Sequence, residues 1–293
     1  MSDGGHSAPL RDEIVAGLEG LPDSRLRMIA SLVNALKTPA QFTAGVGSDV
    51  VDERFAEVMT NLLVLHHALH EELLSKKRFE HVFKQCLIAQ GHDAQLNATP
   101  GALTYDVTGG GRRWSLKTEA AKGISATQVK IEKLMEARWI RECATAEACA
   151  AEVRKRLAHH MDGYDRILVL RAFVRPATFE YRLEEIPTEV LRRCFAEATP
   201  QIFVKKRDSP SFGADFFMEG HRTRAFRMLL DSSVEKVRIW FQVDHCIRHG
   251  AWVVPRIDSG VVRRLHESEL SPDRLPPEQI VRPQMGPGQD GLF

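Results

Sequence analysis

The chain has 293 residues, 43% of them hydrophobic and 27% charged, the composition of an ordinary globular protein with enough length to bury a large core. Lys and Arg total 40 against 39 Asp and Glu, a net charge of +1, so bulk charge selects no partner and nucleic acid would have to be held by local basic patches. No apolar run approaches ~18 residues, which excludes a membrane-spanning helix. The opening "MSDGGHSAPLRDE" has no basic region followed by an apolar one, and a cytoplasmic location is expected.

In chain order, residues 10–37 read as one or two helices, with apolar residues of "SRLRMIASLVNAL" at helical spacing. The Pro, Gly and Ser of "TPAQFTAGVGSD" mark a linker. A long helical segment, "VDERFAEVMTNLLVLHHALHEELL", follows. In the next, "RFEHVFKQCLIAQG", Phe79, Val82, Phe83, Cys86 and Leu87 form an apolar stripe closed by Gly91. Residues 102–108 and 112–119 then alternate with period two around a Gly-rich turn, which predicts a hairpin. A helix is expected from Ser125 through "QVKIEKLMEARWIREC". "YDRILVLRAFV" reads as a strand, "PTEVLRRCFAEA" as a short helix and "KKRDSPSFG" as a basic loop. "EKVRIWFQVDHCIRHGAWVVPRI" reads as two strands and the Pro- and Gly-rich end as a poorly packed tail. The order implies a mixed α/β core with a helical N-terminal extension. The expected division is 1–75 helical, 76–272 core and 273–293 tail.

The hairpin carries the chemistry. Period-two alternation puts Ser115, Lys117 and Glu119 on one face of the second strand, with Trp114, Leu116 and Thr118 opposite. Asp106 shares a face with Thr104 and Thr108 on the first strand, so the turn can bring Asp106 beside Lys117. Phosphodiester hydrolysis needs a carboxylate-held divalent ion to polarise the phosphate and acidify a water, and a cation near the developing charge. Asp, Lys and one further acid meet that need. A solvated strand face is the alternative reading of the same spacing.

The run "YDVTGGGRRWSLKTEAAKGISATQVKIEKLMEA" resembles the core of the PD-(D/E)xK nuclease superfamily, above all type II restriction endonucleases. There an Asp-bearing strand pairs with a strand carrying acid-x-Lys, followed by a helix. "SLKTE" is also similar to the Glu-Leu-Lys-Thr form found in mismatch-repair nickases. The resemblance covers residues 77–172. It departs at Tyr105, where the motif often has Pro, and at Ser115, where the first acid of the acid-x-Lys pair belongs. The resemblance implies a restriction-endonuclease-like central mixed sheet flanked by helices. It also implies a Mg²⁺ site in which Asp106 binds the metal and Lys117 orients or activates the water. The acid missing at Ser115 then comes from Glu80, Glu119, Glu132 or Glu136, in that order of preference. A palindromic duplex target calls for a homodimer. A repair nickase or junction nuclease, and a DNA-binding protein with a decayed site, are the rival readings.

Other motifs point elsewhere. His66 and His70 stand one turn apart, and His245, Cys246 and His249 cluster in "DHCIRHG", but neither group shows a complete ligand set. "TGGGRR" lacks the spacing and the Lys-Ser/Thr of a phosphate loop. The cysteines number 5, with no C-x-x-C pair, and support neither a disulfide framework nor a zinc ribbon. Candidate DNA contacts are Lys122, Lys130, Lys205, Lys206, Arg207, Arg222 and Arg224. Lys133, Arg138 and Arg141 extend the basic run after the hairpin.

Overall fold

The computed structural model describes residues 7–97, 105–204, 210–220, 223–232 and 234–256. It falls into two compact units, one containing residues 7–31 and the other the described residues from Leu32 onward. The first holds α1 (Ser7–Leu18) and the start of α2 (Asp23–Leu36). On α1, Leu10, Ile14 and Val15 are exposed.

The larger unit continues with β1 (Gln41–Ala44), α3 (Glu53–Leu69), α4 (Lys76–Ala89), β2 (Gln95–Leu96), β3 (Val107–Gly109) and β4 (Arg112–Glu119). Next come β5 (Gln128–Glu136), α5 (Ala146–Met161), β6 (Arg166–Val174), β7 (Thr178–Ile186) and α6 (Thr188–Glu197). Four strands and a final one complete it: β8 (Gln201–Val204), β9 (Pro210–Phe217), β10 (Arg224–Asp231), β11 (Lys236–Gln242) and β12 (Ile247–Pro255). They form a seven-stranded sheet, β1-β12-β7-β6-β4-β3-β2, and a five-stranded sheet, β5-β11-β10-β9-β8. The first is mixed, because β4 pairs with β6 in parallel while its other pairs are antiparallel; the second is antiparallel throughout.

Two hydrophobic cores hold the layers together. Phe55, Met59 and Leu63 of α3 and Phe79 and Phe83 of α4 pack on Trp114, Leu116, Leu168, Tyr181 and Trp252 of the mixed sheet. The opposite side of that sheet, through Ile167 and Val169, meets Val153 and Leu157 of α5 and Leu191 and Phe195 of α6. The same core takes in the inner face of the five-stranded sheet, including Val129, Ile131, Phe226, Met228, Ile239 and Phe241. Most of these side chains are fully buried, each worth about 1.5–3 kcal/mol over exposure.

Local signals explain the elements next to the site. Asp52 and Ser75 cap α3 and α4, their side chains accepting from Phe55 N and Arg78 N. Gly110 and Gly111 both have positive φ, 60° and 71°, as a two-residue turn matching the strand twist requires.

Three expectations need correction. Residues 128–136 are strand β5, and Arg138–Glu142 is a single 3-10 turn, in place of a helix. Val129, Ile131, Leu134 and Met135 satisfy either periodicity, and antiparallel pairing with β11 decides. Ser125 caps no helix; its Oγ accepts from Thr127 N. The expected linker contains β1, which pairs with β12 along Gln41–Ala44, and α3 is buried on the same sheet. Residues 32–75 therefore belong to the larger unit rather than to a separate helical region. The end of the expected basic loop, Pro210–Gly213, is the start of β9. Lys205, Lys206, Arg207, Arg222, Thr104 and the 273–293 tail lie outside the described residues.

Candidate active site

The register β3–β4 pairs Val107 with Trp114 and sets Asp106 just before the strand, where its N–H donates to Trp114 O at 2.7 Å. Its Oδ2 accepts from Leu116 N at 2.6 Å, so the backbone of β4 fixes the carboxylate. Lys117 Nζ lies 4.0 Å from that oxygen and donates to Ser115 Oγ at 3.1 Å. The common face expected of Asp106, Ser115 and Lys117 is the one observed.

Helix α4 supplies the second carboxylate. Lys76 Nζ donates to Glu80 Oε1 at 2.5 Å and to Asp106 Oδ1 at 2.6 Å, placing one ammonium between two acids. Burial alone would lower the Lys76 pKa, but hydrogen bonds to Asp106 and Glu80 outweigh it and hold the amine charged. The Lys117 pKa moves the other way, down to about 8. Burial is the main cause and the Lys76 charge adds to it, against the attraction of Asp106. Two oxygen donors around an existing cation suit a hard divalent ion, and Glu80 and Asp106 are the residues that could hold one.

Other predicted ligands are committed elsewhere. Glu119 lies on the expected face of β4, but Arg171 Nε donates to its Oε2 at 2.6 Å and Lys130 N to its Oε1 at 3.1 Å. Burial raises its pKa against the pull of Arg171. It is half of a buried ion pair tying β4 to β6, and it is removed from the ligand candidates. Ser115 is fully buried and holds the lysine. Exposed Glu132 pairs with Lys130 and lies 3.4 Å from Arg238. It lines a cleft of about 360 Å³ with Lys76, Lys117 and Lys133. Glu136 pairs with Lys133.

Of the basic candidates, Lys122 lines the groove beyond the β4 end. Lys130 lies over the Trp240 ring at 5.4 Å, and Arg224 is 3.6 Å from Asp215. Arg138 and Arg141 pair with Glu235.

The histidine motifs are structural. His66 Nε2 is 2.8 Å from Glu72 O. His249 Nδ1 meets Ser48 Oγ at 3.1 Å and its Nε2 meets Glu185 at 2.8 Å. Asp49, Glu185 and His249 offer ligand atoms within 4.8 Å of one another, but Arg166 bridges both acids and is already their cation. Sequence reasoning passed over Lys76, whose signal was its four-residue spacing to Glu80, and His160. The latter's buried Nε2 makes no hydrogen bond. Burial, then the Lys117 charge, lowers its pKa to about 4.

Residues 14–254 match the family model of the SmaI type II site-specific deoxyribonucleases. The chain belongs to that family. The type II restriction enzyme SmaI of Serratia marcescens is 30% identical over 210 residues, 70% of this chain and 81% of the relative. No solved structure matches the chain. Membership of the SmaI family makes the protein a sequence-specific restriction endonuclease acting on DNA, and the matched segment contains Lys76, Glu80, Asp106, Ser115 and Lys117. Among the described residues, no helix is long and apolar enough to cross a membrane.

Proposed function

We propose that this restriction endonuclease hydrolyses both strands of duplex DNA in the cytoplasm as a Mg²⁺-dependent homodimer, using Asp106, Glu80 and Lys117. The observation that carries this reading is the convergence of two carboxylates and a half-buried lysine on one cation-holding point. A bound Mg²⁺ would polarise the scissile phosphate and lower the pKa of the attacking water. The chain's own residues do the rest. The Leu116 amide holds Asp106 Oδ2, so the carboxylate needs no reorientation during reaction. Ser115 Oγ orients Lys117 Nζ. With its pKa lowered to about 8, that amine can exchange a proton with the attacking water, or stay charged against the phosphate, near neutral pH. Lys122, Lys130 and Arg224 contribute to DNA binding, and a two-fold dimer matches a palindromic target.

Asp106→Ala and Lys117→Ala should each abolish cleavage of a viral DNA while the proteins stay folded and still bind duplex. Cleavage by either variant within about tenfold of wild type, roughly 1.4 kcal/mol of barrier, would sink the assignment. Sedimentation of the enzyme with and without duplex tests the dimer.

A further inference from the structure

The five-stranded sheet has one face buried against α5 and α6, and its other face has a different composition. Gln128, Lys130, Arg227, Arg238 and Trp240 alternate with the buried Val129, Ile131, Met228, Ile239 and Phe241. The strand register aligns Asp215, Arg227, Trp240 and Lys130 in one row across four strands. This row borders a concavity of about 810 Å³, lined in part by Gln128, Gln201, Asp215, Arg224, Arg227 and Trp240.

Shared walls link the concavity to the catalytic cleft. A groove of about 300 Å³ beyond the β4 end shares Gln128 and Trp240 with the sheet face, and Thr118 and Glu132 with the cleft that contains Lys117. From Glu132 to Gln128 along β5 is roughly 13 Å at 3.3 Å per residue. That is the rise of about four base pairs, so the sheet face can lie against bases within half a turn of a phosphate in the cleft.

The charge pattern separates base reading from backbone clamping. A phosphate clamp would be uniformly basic, but here Asp215 and Glu132 stand among the cations and would repel phosphates. Arg227 donates from Nε and Nη2 to Asp215 at 2.7 and 2.8 Å, which fixes its plane. Arg224 Nε is buried without a hydrogen bond. A fixed guanidinium at Arg227, a second guanidinium at Arg224, carboxamides and a carboxylate are the donors and acceptors that distinguish base edges.

We propose that this outer sheet face is the base-reading surface of the enzyme, taking the duplex segment beside the scissile phosphate. Arg227, Arg224 and Gln128 contact base edges, and Lys130 and Lys122 contact phosphates. The proposal rests on the cleft lined by Lys76 and Lys117, the partners of Asp106, being where DNA is cut. The test first reads the cognate sequence from the fragment ends of a digested viral DNA. Metal-free binding to cognate and random duplexes is then measured for wild type, Arg227→Ala, Arg227→Lys, Gln128→Ala and Asp106→Asn. Arg227→Ala and Gln128→Ala should lose about 5- to 150-fold on cognate duplex, with little change on random duplex, and relax choice at one base pair. Arg227→Lys, which keeps the charge but not the fork, should lose the same selectivity. Wild-type selectivity in all three, or an equal loss on both duplexes, overturns the proposal. Asp106→Asn separates the two readings: it should lose cleavage and keep cognate preference, and if it cleaves, the catalytic assignment fails while the binding arms still judge the sheet face.

Discussion

Replacing Lys76 by methionine should tighten divalent-ion binding at the Glu80–Asp106 pair. The Lys76 ammonium contacts Glu80 at 2.5 Å and Asp106 at 2.6 Å, occupying the space between the acids that an incoming cation needs. The lysine side chain is 42% exposed, so each contact is screened and worth about 0.5–1 kcal/mol. An ion that displaces Lys76 therefore gives up about 1–2 kcal/mol, and Lys76→Met removes that competition. Its dissociation constant for Mg²⁺ should fall about 5- to 30-fold. Methionine keeps a long aliphatic, helix-compatible side chain at the first position of α4, so folding should survive. Calorimetric titration of Mg²⁺ into DNA-free enzyme, wild type against variant, reads the effect with no turnover. A dissociation constant unchanged within about twofold, or weaker binding, would refute the idea that Lys76 and the metal share one place.

Further expectations concern ligands, the buried ion pair and pH. Glu80→Gln should abolish cleavage, whereas Glu132→Ala should stay within about tenfold of wild type, since Glu132 is exposed and already paired with Lys130; an inactive Glu132→Ala with an active Glu80→Gln would reverse the ligand order. Arg171→Met and Glu119→Ala should each cost about 3–5 kcal/mol of stability by leaving one buried charge uncompensated, and the double variant should lose less than their sum in denaturant titrations. His67 is buried against Phe179 and bonded to Tyr181 OH at 2.7 Å. Burial, then the charges of His66, His70 and Arg256, depress its pKa to about 4. The unfolded imidazole takes a proton below about pH 6.5 and the folded one only near 4, so stability is full above 6.5 and falls by about 3 kcal/mol toward 4. His67→Gln should flatten that slope by about one proton, and an unchanged slope would show that His67 does not titrate in this window.

The sequence by itself determined what short-range rules control. The two glycines of the turn and the alternation of β4 put Asp106, Ser115 and Lys117 together, because a hairpin closes within a dozen residues and its register follows from the turn. The α4 stripe was legible for the same reason. Partnerships between distant segments were not. Residues 128–136 carry apolar spacing compatible with helix or strand, and β11, some hundred residues later, decided it. Helix α5 and strands β7 and β10 went unread, although Thr145 caps α5 ahead of Cys149, Val153, Leu157 and Met161 at helical spacing, and Phe179, Tyr181 and Leu183 alternate along β7. Glu119 was placed on the right face but lost to the site, because β6 brings Arg171 beside it and a buried guanidinium must be paired. Glu80 reached Asp106, and Lys76 came between them, only when α4 packed its phenylalanines onto the sheet. Tertiary structure decided these points because burial and charge pairing depend on which surfaces meet, and local spacing along the chain carries no record of that.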